Sequence, residues 1–216
     1  MISFVESGMT FTFDDGNCYR IEKDPLMHVC CHGSTQNNMT CECVSVINGH
    51  HYFIEAKQSA PNKSAGSIHD LRLNGRPLPA NWVAYDNYHK YLRDITKKFV
   101  DSASLLKALF EGRHGVQRKT DLPLPLKKLN FDRVRFILII NPQKDYPEAY
   151  YRRNIIPLMD SLKSEMKPFL NTWNIPDKSV KILLPSQARE LYGIDVVTNP
   201  QKHNPPKGHF SKHRSR

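Results

Sequence analysis

Long apolar stretches are missing from this 216-residue chain, and no run approaches the ~18 residues that a membrane span needs. The segment from Met1 to Met9 also lacks the basic stretch followed by an apolar one that marks a secretory signal. Both absences predict an intracellular protein, in the cytoplasm or at the nucleoid or nucleus, with no membrane partner. Cysteine is scarce and odd in number. The five residues Cys18, Cys30, Cys31, Cys41 and Cys43 sit in a chain large enough to do without staples, which argues against a disulfide framework. No internal repeat is present. Acid is missing from one end: residues 198–216 hold five Lys or Arg and no Asp or Glu. With its prolines and histidines that stretch predicts a basic, disordered tail.

What is present fits one globular domain over residues 1–197. Hydrophobic residues make up 39% and charged residues 24%, too apolar a mixture for general disorder. The net charge is +10, and without the tail the body still carries 26 basic against 21 acidic residues. A surplus in both parts favours a polyanionic partner, nucleic acid above all.

Local patterns give the elements. Phe11 to Phe13 and Tyr19 to Ile21 alternate around Asp15-Gly16, predicting an N-terminal hairpin over residues 9–23. Cys41 to Ile47 and His50 to Lys57 flank Asn48-Gly49, the preferred pair for a two-residue type I′ turn, and predict a second hairpin over 41–57. Residues 58–82 read as a long loop, of a length that is usually functional or mobile. Apolar residues at Tyr88, Leu92, Ile95, Phe99, Leu106 and Leu109 recur near the helical period and predict a helix over 86–111, ended by Gly112. Val134 to Ile140 is an almost continuous apolar run, the pattern of a strand covered on both faces. A second helix is expected over 148–170, starting or kinking at Pro157, and a further buried strand over 180–184.

The second hairpin carries the chemistry. With a two-residue turn, Ile47 pairs with His50, Val44 with Phe53 and Glu42 with Glu55, placing two carboxylates directly opposite each other. Lys57 then projects beside Glu55, while Cys41, Cys43, Ile54 and Ala56 point to the other face. Like charges on opposed strand positions repel, with Cβ atoms only about 4.5–5.5 Å apart. Mg²⁺ or Mn²⁺ would offset that repulsion, since such hard ions take one or two carboxylates and keep open positions for water and substrate phosphate. An exposed polar hairpin face, with Lys57 in an ordinary ion pair, accounts for the same residues and stays open.

Tyr52-Phe53-Ile54-Glu55-Ala56-Lys57, an apolar strand ending in Glu-x-Lys after an acid on the preceding strand, resembles the signature of the PD-(D/E)XK nuclease superfamily. The succession of helix, buried strand, helix and strand that follows is similar to that fold's order. The resemblance covers residues 40–184, with a sharp part of roughly 16 residues. It implies an α/β fold of the restriction-endonuclease-like kind, a mixed central β-sheet flanked by helices, and a Mg²⁺- or Mn²⁺-dependent nuclease acting on nucleic acid, DNA before RNA. Under it Glu42, Glu55 and Lys57 are catalytic, and the metal is held by Glu42, Glu55 and the Ala56 carbonyl. The chain departs from the pattern in having Glu at position 42, with no preceding Pro, and in opening with strands; Glu6 and Glu22 are the candidates for any upstream acid. Asn87 and Tyr91, four apart, faintly resemble the Gln-x-x-x-Tyr element of RecB-type nucleases.

Candidate nucleic-acid contacts are Lys90, Arg93 and Lys97, one helical stripe, with Arg118 and Lys119 in the following connection and Arg152 and Arg153 beside Tyr150 and Tyr151. Each also reads as a solvated surface. A homodimer or a larger complex is compatible with these patterns. Two other readings remain: a nuclease-fold binding module without activity, and a domain stabilised by zinc through His28, Cys30, Cys31, His32, Cys41 and Cys43. The cysteine spacing disfavours the last.

Overall fold

The computed structural model describes residues 1–23, 39–60, 82–113, 126–127, 129–142 and 148–199; the side chains of residues 82–86 and 148–154 lie outside that description. Among the described residues eight strands and three α-helices follow one another: β1 (Ile2–Glu6), β2 (Met9–Phe13), β3 (Cys18–Tyr19), β4 (Cys43–Ile47), β5 (His50–Lys57), α1 (Trp82–Phe110), β6 (Val134–Ile140), α2 (Glu148–Thr172), β7 (Val180–Leu183), α3 (Pro185–Tyr192) and β8 (Asp195–Thr198). None of the described helices is long and apolar enough to cross a membrane.

The central sheet has the order β3-β4-β5-β6-β7 and is mixed. Its antiparallel half is the β4–β5 hairpin, where Ile47 pairs with His50 across Asn48 and Gly49, both at positive φ as a type I′ turn demands. Its parallel half runs from β5 to β6 and β7, each reached through a helix. Val134, Phe136, Leu138 and Ile140 face α1 and α2, while Ile137 and Ile139 face the other way, so β6 is covered on both sides as its apolar run predicts. Phe53, Phe99 and Phe136 pack ring to ring at 5.3 and 5.4 Å under α1. Burying each such side chain contributes roughly 1.5–3 kcal/mol.

The opposite face of the sheet is closed by a second, three-stranded antiparallel sheet of order β1-β2-β8, together with α3. Met9, Phe11 and Phe13, alternating along β2, interlock there with Tyr52, Ile54 and Ala56. This corrects the expected hairpin over 9–23. Gly16 does turn at positive φ, but the strands on either side part company, β2 pairing with β1 and β8 and β3 with β4. The hairpin that forms is β1–β2, turning at Ser7-Gly8. Residues 198 and 199, expected to belong to the tail, are part of the fold: Thr198 pairs with Met9 and the Asn199 N–H bonds to the Gly8 carbonyl. The rest of the tail lies outside the described residues. Helix α1 starts four residues before its expected position, and α2 runs through both Pro157 and Pro168.

Candidate functional site

Three elements meet at the C-terminal end of β5. Asn141, just past β6, donates its backbone N–H to the Lys57 carbonyl at 2.8 Å and its side-chain amide to the Ser7 and Gly8 carbonyls at 3.0 and 3.3 Å. The β1–β2 turn is thereby latched over the end of the sheet. Gly8 is required at this point: its φ is +73°, and a Cβ there would lie 2.9 Å from the Asn141 amide nitrogen. From the other side α1 grips the lead-in to β4, with Asp101 accepting the Met39 N–H and Ser102 the Cys41 N–H, both at 2.9 Å.

Glu55 ends up fully buried, and Glu42 is 4% exposed. They are brought together, but not as opposed ladder residues. The β4 ladder ends at Cys43, which pairs with Ile54, and the Glu42 N–H bonds to that same Ile54 carbonyl at 3.0 Å. Two residues thus oppose one, as at a β-bulge, and the chain direction changes. One consequence overturns an expectation: Cys41 packs in the core under α1 and Cys43 in the core on the opposite face. Both are free and buried, which leaves them placed as small hydrophobes and not as partners around one ion. Cys30, Cys31, His28 and His32 lie outside the described residues.

Lys57 projects beside Glu55 as expected, with Nζ 2.7 Å from Glu55 Oε1. A residue that the spacing did not reveal joins them. Lys98 of α1 places Nζ 2.7 Å from the same Glu55 Oε1 and 3.6 Å from Glu42 Oε1. Burial alone would depress its ammonium, but Glu55 and Glu42 outweigh that and raise its pKa. The signal was a polar residue three positions after Ile95 on the inward arc of α1, hidden beside Lys97. Among the described residues Glu42 Oε2 and Glu55 Oε2 have no hydrogen-bond partner although both are buried. Burial, then the neighbouring Glu55 charge, pushes the Glu42 carboxyl up to about 7.

On its far side Glu42 meets Glu6 and Glu22, with one carboxylate oxygen of each within 4.8 Å of the others. Both upstream candidate acids therefore reach the site, Glu6 from the end of β1 and Glu22 from the turn Ile21–Lys23. Glu22 is already paired with Arg20 and Lys23. A cleft of about 480 Å³ opens over β5, lined by Ser7, Lys57, Asn87 and Tyr91 among others. The Tyr91 hydroxyl is buried without a partner among the described residues, and burial with the Glu55 charge raises its pKa. The Ala56 carbonyl accepts a 3.0 Å bond from Ser7 Oγ.

The basic stripe is elsewhere. Lys90 and Arg93 are exposed, and Lys97 is paired with Asp101. Arg118 and Lys119, and the side chains of Arg152 and Arg153, lie outside the described residues. Comparison of the chain with protein-family models, with curated proteins and with solved structures finds no match. Its chemistry alone carries the functional reading.

Proposed function

We propose that the protein is a Mg²⁺- or Mn²⁺-dependent nuclease of the restriction-endonuclease-like kind, hydrolysing phosphodiester bonds of nucleic acid, with DNA as the expected substrate. The observation that carries this reading is the convergence of Glu42 and Glu55, each with a buried oxygen lacking a partner among the described residues, beside a half-exposed lysine that opens on a cleft. Buried carboxylates without such a task are costly, since a desolvated charge needs its lone pairs satisfied. The order of hairpin, helix, parallel strand, helix and strand supports the same fold assignment.

The donor set fits a hard divalent cation, which takes carboxylate and carbonyl oxygens. Glu42, Glu55 and the Ala56 carbonyl would hold it, with Glu6 next in reach. When bound, such an ion supplies Lewis acidity toward a phosphodiester and a water of lowered pKa. The protein's own groups do the rest. Lys57, anchored on Glu55 yet 31% exposed, orients the attacking water and donates to charge developing on the phosphate. Ser7 and Asn87 line the cleft with a hydroxyl and an amide that position a phosphodiester. Lys90 and Arg93 extend a cationic surface along α1 for the flanking phosphates.

A binding module without catalysis is the second reading, favoured by one feature: Lys57 and Lys98 already neutralise the two carboxylates. Incubating labelled single- and double-stranded DNA and RNA with the protein and Mg²⁺, Mn²⁺ or EDTA separates the two. Metal-dependent cleavage is expected. Tight binding with no cleavage of any substrate would establish the module instead.

A further inference from the structure

Lys98 has a part that charge pairing with Glu55 does not explain. Lys57 already sits 2.7 Å from Glu55 Oε1, and Lys98 approaches that same oxygen at 2.7 Å, so two ammoniums share one acceptor while Oε2 has no partner among the described residues. What Lys98 adds is reach: its Nζ lies 3.6 Å from Glu42 Oε1 as well. The side chain is only 17% exposed, so it has left most of its water to stand between them. A lysine head is a compact point charge on a flexible four-carbon stem. In shape and sign it stands in for a small cation.

Charge balance turns that placement into a mechanism. At Glu55 and Glu42 two acids face two ammoniums, with Glu6 and Glu22 also within reach of Glu42 and Glu22 already paired with Arg20 and Lys23. If Glu42 and Glu55 held a divalent cation, their surroundings would gain two further positive charges in a buried, poorly screened place, where like charges within a few ångströms repel strongly. One ammonium has to withdraw. Lys57 is the more exposed and lies toward the cleft, whereas Lys98 occupies the point where both acids converge.

We propose that Lys98 is the site's internal counter-ion, holding the position between Glu42 and Glu55 in the metal-free protein and withdrawing when a divalent cation enters. This rests on the metal-dependent reading above and adds a regulation to it: Lys98 sets the concentration at which the site loads. It also keeps the metal-free protein folded around two carboxylates that would otherwise repel. Lys98 is a positioning residue in this account, and its measure is metal affinity.

The test is the Mn²⁺ affinity of the parent, Lys98→Met and Lys98→Arg proteins, read as free Mn²⁺ by electron paramagnetic resonance at pH 8 without nucleic acid. Lys98→Met should bind Mn²⁺ about tenfold tighter than the parent or better, while Lys98→Arg, which keeps the charge, should not. The metal-free melting temperature of Lys98→Met should fall, and Mn²⁺ should restore more of it than in the parent. Lys98→Gln replaces the Met variant if that one does not fold. A second measurement uses the parent alone: acylation of Lys98 by an amine-reactive reagent, followed by mass spectrometry, should rise when saturating Mn²⁺ frees the ammonium. If the parent binds Mn²⁺ but the neutral variants bind it no tighter and Lys98 acylation is unmoved, the counter-ion role is overturned while the metal site stands. If neither parent nor variants bind Mn²⁺, the metal-dependent reading itself falls, and this inference with it.

Discussion

The two faces of β5 solve the problem of burial in opposite ways. On the face toward the small sheet, Tyr52, Ile54 and Ala56 pack against Met9, Phe11 and Val196 in an apolar layer. On the face toward α1, Phe53 does the same with Phe99 and Phe136, but two residues further on Glu55 is just as deeply buried and is charged. One face is held by packing. The other ends in four ionisable groups, two of them acids with an oxygen left without a partner among the described residues. A chain that only needed to fold would gain from an apolar residue at position 55, because well-packed hydrophobes commonly match or exceed a buried ion pair in stability. The contrast within one strand marks where the fold carries a buried polar group that packing alone does not call for.

Substitutions on the two faces sharpen that contrast. Ile54→Ala should lose about 2–5 kcal/mol to transfer and cavity terms, read as a fall in melting temperature that Mn²⁺ corrects no better than in the parent. Glu55→Ala should lose a similar roughly 3–5 kcal/mol for a different reason, by leaving the largely buried Lys98 without its main partner. The difference appears in the double variant: Glu55→Leu combined with Lys98→Met should recover most of the stability, whereas no change at position 98 should rescue Ile54→Ala. Equal behaviour of the two faces would break the comparison. Gly8→Ala should cost about 1–3 kcal/mol, since it forces a side chain into positive φ and against Asn141. The same variant should loosen the turn that carries Glu6 and Ser7.

The pH response is smaller and belongs to Glu42. Its folded pKa is raised from 4.5 to about 7, so the native state holds a proton that the unfolded chain releases. That contribution to stability is fully present below about pH 4.5 and is lost as pH rises through 7. Glu42→Gln should therefore flatten the decline of melting temperature between pH 4.5 and 7 in metal-free solution; an unchanged slope would contradict the assignment. The smallest effect expected is at the exposed Arg93. Arg93→Ala should move stability by no more than about 0.5 kcal/mol yet reduce the salt dependence of nucleic-acid binding by about one unit of slope.

Much of this architecture was legible in the chain, and the gaps have physical causes. Asn48-Gly49 fixed the β4–β5 register down to Cys43, and the apolar run at 134–140 marked β6 residue for residue, because both signals are local. Asp15-Gly16 misled because a turn dipeptide does not say which sheets its flanking strands join; β2 takes β8, far along the chain, as a partner. Ser7-Gly8 is a weak turn signal because serine rarely adopts the positive φ it has here. At the site, Glu55 and Lys57 were legible from alternation along one strand. Glu42 was reached by extending a register that a bulge interrupts, which sent Cys41 to the wrong face. Lys98 carries no mark in the sequence because it differs from its neighbour Lys97 only in its place around the helix, about 100° further round, which turns it toward acids on another element.

The most direct measurement is the rate at which the parent and Lys57→Ala cleave labelled double-stranded DNA in Mg²⁺ or Mn²⁺. Lys57 is half-exposed, so its loss should leave the melting temperature near that of the parent. Cleavage by the parent that EDTA stops, and that falls by about 10²–10³-fold or more in Lys57→Ala, is the expected result. Cleavage by Lys57→Ala at the parent rate would contradict the assignment of this end of β5 as the active site.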